Sequence, residues 1–411
     1  MTGLLLVRGA RQLLTLRGGS GPRRGPALRD LGLIPDGALL IRDGLIASVG
    51  PSRRIENLAE ARSAREISAA GKVVLPGFVD SHTHLVARAL RPTASSDTGD
   101  PAIPVRSTRA VPASRLLFET RRRLAALIRH GTTTVEIKSG GEDQAEERKI
   151  LRVLALLKQR PLDVVPTCLA GGRLPLEFLG KPDDYLEWMR ARFLPAIRRR
   201  GLAHCVDVVC LPECWTASQA RLCLESARRL GFRLKVHAGT SGRDGAVRLA
   251  VGCGALSADH LHYADEDEVA LLAASSTIAT LLPGCDRPLA ADPLPPARTL
   301  IEAGAAVALA TGFAPGAPSP FSMQAVVALA CSRLGMTPAE ALSAATINGA
   351  HALGLADRLG SLEAGKQADL LILDAPDYRE MTYHCGGNLV AMTLKRGEIL
   401  HRQGELKWPE D

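Results

Sequence analysis

The sequence predicts an α/β protein: a (β/α)8 TIM barrel carrying a small β-sandwich domain formed by both chain termini. Three observations predict it. Strand-like apolar runs alternate with helix-like amphipathic stretches through the long middle of the 411-residue chain, the pattern of a parallel sheet covered by helices. Both ends are instead rich in short strands and tight turns. The first apolar run of the middle closes on Asp80-Ser81-His82-Thr83-His84, and barrels of this kind keep their chemistry at the carboxyl ends of their strands.

Taken in order, residues 1–70 form the N-terminal part of the sandwich. Ala38 to Arg42 and Leu45 to Val49, joined by Asp43-Gly44, carry a strong hairpin signal. Leu4-Leu5-Leu6-Val7 and Leu13-Leu14-Thr15-Leu16 read as short strands rather than as part of a transit peptide, despite the arginines around them. Residues 71–360 form the barrel, with strands expected at 73–79, 132–137, 163–167, 206–210, 233–237, 256–259, 277–282 and 306–310. Helical periodicity covers 114–129, 144–159, 185–199, 218–230, 265–273 and 297–303. Two more helices are expected at 322–334 and 337–353, the second opened by Thr337-Pro338-Ala339-Glu340, an N-cap, a first-turn proline and an early acid. Residues 361–411 return to the sandwich with a strand at 369–373 and a second hairpin turning at Arg396-Gly397.

Composition narrows the function. The chain is 46% hydrophobic and 23% charged, as expected of a globular protein, and no apolar run reaches the roughly 18 to 20 residues that span a bilayer. The net charge of +8 raises the question of nucleic acid, but aromatics make up only 3%, too few for stacking platforms. The arginine runs at 121–123 and 198–200 sit at helix ends, so a solvated basic surface is expected, with no nucleic-acid and no membrane partner. Nine cysteines follow no disulfide or zinc spacing, and several lie inside apolar elements, which fits a reducing cytoplasmic setting.

Residues two apart on a strand point the same way, so His82 and His84 leave one face together and can reach one metal ion. An HxH alone could equally be a polar plug. Further polar residues close other strands: Lys138 on strand two, His237 on strand five, and Asp259-His260 on strand six. Histidines at three strand ends favour a metal site over isolated structural residues.

On these segments the chain resembles the amidohydrolase superfamily, and within it most closely the imidazolonepropionases. The resemblance runs nearly end to end through LIPDGALLIRDG, GKVVLPGFVDSHTHLV, GTTTVEIKSG, GALSADHL, LLPG, AVALATGFAPG, GMTPAEALSAATINGA and GSLEAGKQADLLILD. It implies one divalent metal ion, zinc or iron, held by His82, His84 and His237, with His260 polarising the substrate carbonyl. Arg91 would hold the substrate carboxylate, a role that suits the planar fork of a guanidinium. The implied activity is hydrolysis of a cyclic amide C–N bond, imidazolone propionate to N-formimino-glutamate in histidine breakdown. The substrate would be a small cyclic amide bearing a carboxylate, and the enzyme a homodimer.

The departures from the family pattern are specific. The strand-eight aspartate that binds metal and shuttles protons is Gly312 here, and a nearby asparagine is Ala314. The glutamate two residues beyond His237-Ala238 would be a general base in the family; after Gly239 this chain continues with Thr240. A tyrosine of the second strand's loop is Gly141, and a histidine after strand three is Gly172; the loop at 92–106 is shortened. Hydrolysis needs an acceptor for the water's proton and a donor for the leaving nitrogen, and a positioned acid–base group contributes roughly 10²–10⁴-fold. Asp286, just after strand seven, is a candidate replacement carboxylate. Two alternatives therefore stand beside the expected activity: a catalytically impaired paralogue acting as a binding or scaffold protein, and a hydrolase of altered cyclic-amide specificity.

Overall fold

The computed structural model describes residues 3–86, 110–141, 143–158, 161–172, 174–210, 214–238, 245–285, 293–315, 319–403 and 405–406. Eight parallel strands run in sequential order around the barrel: Phe78–Asp80, Thr132–Lys138, Asp163–Ala170, Cys205–Val209, Arg233–Ala238, Ser257–His260, Ile278–Leu281 and Val307–Leu309. The ring closes beyond the last strand, where Gly312 N donates to His82 O at 3.0 Å and His84 N to Phe313 O at 2.8 Å. The alternation of side chains along each strand sorts them between helices and lumen. On strand two, Val135 and Ile137 pack outward with Leu124, Leu127 and Ile128 of the helix Ala113–Arg129. Glu136 and Lys138, of opposite parity, are fully buried inside. Strands four, five and six repeat the pattern, with Val206, Val208, Val236 and Ala258 in the main core and Asp207, Lys235, His237 and Asp259 on the other face.

The terminal strands form one nine-stranded sheet contributed by both ends of the chain. Its core joins Leu5, Val7, Leu39 and Ile41 from the front to Leu370, Ile372 and Leu394 from the back. Both anticipated hairpins are present, with Asp43 and Gly44 at φ 52° and 78° and Arg396 and Gly397 at 48° and 74°, the doubly positive pair of a tight hairpin turn.

Three elements differ from the sequence expectation. The two short strands expected at 4–7 and 13–16 are one strand, Leu4–Leu14, with a register shift between Val7 and Ala10. The run expected as one strand at 73–79 is split. Val73–Pro76 pairs antiparallel with Leu370–Leu373 in the terminal sheet, and Phe78–Asp80 begins the barrel. The hydrogen bonds hand over residue by residue, Gly77 N to Asp369 O at 3.0 Å and Phe78 N to Gly131 O at 3.0 Å. The helix expected at 337–353 breaks at Thr346, whose φ and ψ of −127° and −91° separate Pro338–Ala345 from Ile347–Ala352.

Helix starts are set by side-chain caps. Thr216, Asp265 and Thr337 each accept from the third residue of their helix, which reaches back with Gln219, Glu268 and Glu340 respectively. No disulfide forms among the described residues, and no described helix is long and apolar enough to cross a membrane.

Candidate metal centre

The four histidines singled out in the sequence meet at the carboxyl end of the barrel. The ring of His82 lies 5.3 Å from that of His84, 4.6 Å from that of His237 and 5.0 Å from that of His260, centroid to centroid. His82, His84 and His237 each offer a ring nitrogen, and these three nitrogens all lie within 4.8 Å of one another, close enough to share one ion. His260 joins from strand six, 5.1 Å from His237, on a backbone held at φ 82° with Leu261 at 65°. Positive φ is costly for such residues and persists where the surroundings enforce it. The bond from Leu261 N to Ala238 O, at 2.9 Å, is one such restraint.

A layer of buried charge supports the rings. His82 Nδ1 bonds Asp259 Oδ2 at 2.7 Å, and His237 Nδ1 lies 3.0 Å from Asp207 Oδ2. At His82 the carboxylate at Nδ1 fixes the ring and leaves Nε2 as the free lone pair, the usual support behind a metal-binding histidine; at His237 the carboxylate is close to Nδ1 but not aligned for a hydrogen bond. Beneath them Lys138 Nζ pairs with Asp207, with Glu136 at 3.1 Å and with Asp259 at 3.2 Å. Lys235 Nζ lies 2.9 Å from Glu136 and donates to Ser81 O at 2.8 Å. Ser257 and Thr167 donate to Asp259 and Glu136, each at 2.5 Å. Asp80 closes the ring by accepting from Thr311 N at 3.0 Å and Thr311 Oγ1 at 2.6 Å.

Burial opposes every one of these charges, and the partners decide the outcome. Burial alone would raise Asp207, but His237 and Lys138 hold it well below the usual carboxylate range. The same holds for Asp259, where Lys235 and Lys138 outweigh burial. Lys138 is kept protonated above its ordinary value by Asp207, Glu136 and Asp259, against the pull of burial. Asp80 has only hydrogen bonds to set against burial and is raised to about 7. The imidazoles go the other way. Burial and His237 lower His84 to about 3, and burial, then Lys138, pushes His82 well below its ordinary value. Neutral imidazole is the form that offers a lone pair.

This donor set fits a divalent cation. His82 Nε2 is a buried nitrogen with no hydrogen-bond partner, and an unpaired buried polar atom is costly unless something satisfies it. Two ammonium groups face three carboxylates in the layer below, an excess of negative charge that a cation on the imidazoles would balance. Three imidazoles with an open position match catalytic zinc geometry.

The structure therefore brings His82, His84, His237 and His260 together. Arg91, Asp286 and Thr240 lie outside the described residues. Glu136, Asp207, Lys235 and Asp80 escaped the sequence reading. The available signal was a charge inside an apolar strand, in step with a residue already chosen: Glu136 with Lys138 and Lys235 with His237. The cysteines near 205–214 bring no metal-binding group together among the described residues.

The amidohydrolase family model matches residues 73–400 of the chain. The imidazolonepropionase of Symbiobacterium thermophilum is 39% identical over 98% of this chain and 98% of its own length. That of Geobacillus kaustophilus is 39% identical over 98% and 99%, and that of Rubrobacter xylanophilus 42% identical over 93% and 95%. Among solved structures, a zinc-bound adenosine deaminase from Xanthomonas campestris superposes with a TM-score of 0.75 at 20% identity, covering 98% of this chain and 94% of that one. A triazine hydrolase variant superposes with a TM-score of 0.77 at 18% identity, covering 99% and 96%. At such identities the two structures bear on the fold.

Proposed function

Because the chain belongs to the amidohydrolase family and groups within it with the imidazolonepropionases, we propose that it is a metal-dependent hydrolase of a cyclic amide C–N bond. The reaction is the opening of imidazolone propionate to N-formimino-glutamate. The observation that carries the proposal is the convergence of His82, His84 and His237, two of them backed at Nδ1 by a buried carboxylate.

In this reading the three imidazoles hold the cation through their Nε2 or Nδ1 lone pairs, and zinc and iron both suit an imidazole set. A divalent ion so held supplies Lewis acidity and lowers the pKa of water. Asp259 and Asp207 keep two of the rings turned toward it. Lys138 and Lys235 keep those carboxylates ionised and in place. His260, kept neutral by burial, donates a hydrogen bond to the substrate carbonyl as charge builds on its oxygen. Arg91 takes the substrate's carboxylate, and Asp286 stands in as the carboxylate that strand eight lacks at Gly312.

The relatives carry an enzyme's name, which speaks against the reading of a non-catalytic scaffold. Purified protein should contain close to one equivalent of zinc or iron by elemental analysis and should consume imidazolone propionate with release of N-formimino-glutamate. Metal-free protein that stays inert when either zinc or ferrous iron is restored would defeat the proposal. Asp286→Asn with unchanged metal content and turnover would remove Asp286 from it.

A further inference from the structure

We infer that Cys285 and Gly312 are a matched pair: the thiol fills the place of a strand-eight side chain, so the ligand set at the histidine centre is fixed without one. The inference rests on the metal-dependent reading above.

Gly312 follows the last barrel strand and donates its N–H to His82 O at 3.0 Å, so it borders the first of the metal-binding histidines. Its φ is +61°, and a Cβ placed on it would lie 2.0 Å from Cys285 Sγ and 2.7 Å from Leu282 Cδ2. Non-bonded carbon and sulfur do not approach so closely, and the nearest contact belongs to a short side chain with one rotatable bond. The thiol is also held where it is, donating to Thr311 O, the carbonyl immediately before Gly312, at 3.3 Å.

A side chain at 312 and the thiol of Cys285 thus compete for one volume, next to the backbone that carries His82. The glycine is therefore more than a missing carboxylate. The wall it would leave open is occupied by sulfur, supplied by the loop after strand seven. The centre receives no side chain from strand eight, and restoring an acid at 312 requires removing the thiol first.

A double-mutant cycle tests this with two readouts. On chelator-treated protein, calorimetry compares wild type, Gly312→Ala, Cys285→Ala and the double variant. Gly312→Ala should lower Tm by several degrees, and Cys285→Ala should recover part of that loss, because the sulfur contact is gone while the strain of positive φ and the close approach to Leu282 Cδ2 remain. If Gly312→Ala fails to fold, recovery of folded protein in the double variant is the supporting result. Equal losses in both backgrounds, or no recovery of folding, would overturn the pairing.

The second readout is zinc affinity by chelator competition. Gly312→Asp with Cys285→Ala should bind zinc at least about tenfold more tightly than wild type, a difference worth about 1.4 kcal/mol. Gly312→Asp alone should show no such gain; if it binds as tightly as the double variant, the inference fails. Zinc binding that His82→Ala leaves unaltered would instead defeat the metal reading, while the calorimetric cycle still decides the pair.

Discussion

At the scale of single residues, the histidine set was readable because its geometry is local. His82 and His84 lie just past the first barrel strand, Phe78–Asp80, and His237 and His260 lie at or beside the ends of theirs, so position at the strand ends places all four at one mouth. The supporting charges were not readable, because Glu136, Asp207 and Lys235 meet only when non-adjacent strands close into a ring. Their role gives one prediction. Asp207→Asn removes the ionised partner of the His237 ring and should weaken zinc binding by about 10–100-fold with the fold retained, as read by chelator competition and circular dichroism. The glycines that depart from the family pattern also prove unequal. A Cβ on Gly141 would lie 2.4 Å from Glu147 N and 2.8 Å from its Cα, backbone atoms that cannot swing aside. On Gly172 the nearest atom is Val209 Cγ2 at 3.6 Å, an ordinary contact. Gly141→Ala should therefore cost about 2 kcal/mol and Gly172→Ala little, measured by urea unfolding. The Glu147 carboxylate explains the difference, since it accepts from Gly141 N at 2.8 Å and Gly140 N at 3.2 Å and draws the loop onto its helix.

At the scale of elements, most boundaries followed from caps and periodicity, and the helix opened by Thr337 shows how far such a signal reaches. Glu340 completes the capping box and is bound from outside by Arg298, at 3.0 and 3.1 Å, and by Arg29 at 3.0 Å. Burial opposes its charge, but Arg298, the Thr337 backbone and Arg29 prevail and lower it to about 2. A carboxylate whose folded pKa lies below its unfolded value stabilises the protein above the unfolded value. That contribution fades as pH falls through the folded one. The Tm difference between wild type and Glu340→Gln should thus be full at pH 7, shrink below about pH 4.5 and vanish near pH 2. A difference independent of pH would show that the charge is not what holds this helix start. The split at Gly77 had a local signal, the Pro76-Gly77 pair between two apolar runs, but only the partners of each residue reveal that two sheets share the segment.

At the scale of the whole molecule, the terminal sheet and the barrel are joined by buried groups rather than by a linker. Lys395 Nζ reaches Asp163 and Asp369, both at 2.7 Å, and is almost fully buried. Thr393 Oγ1 donates to Ile128 O at 2.8 Å, and Leu400 packs with Leu124 and Leu127 of a barrel helix. Both units should unfold in one calorimetric transition. Lys395→Met, which removes the buried ammonium shared by Asp163 and Asp369 and leaves them to the contacts from Arg396, should cost about 3 kcal/mol without splitting that transition. Two separate transitions would mean that the sheet is an appendage. The sequence announced the two units through hairpin-rich ends and a strand–helix middle. Their union rests on partners far apart in the chain, which no local pattern carries.

The handover at Gly77 also sets a timetable. The strand that leads into the first histidine pair is flanked in its sheet by Leu370–Leu373, a segment that leaves the ribosome long after it. Until it arrives, Val73–Pro76 offers an open edge to any passing strand, and His82 hangs from an unanchored root. A nascent chain that lacks this segment would be sticky at that edge and poor at retaining an ion, so loading of the centre belongs after Leu370–Leu373 has emerged and paired.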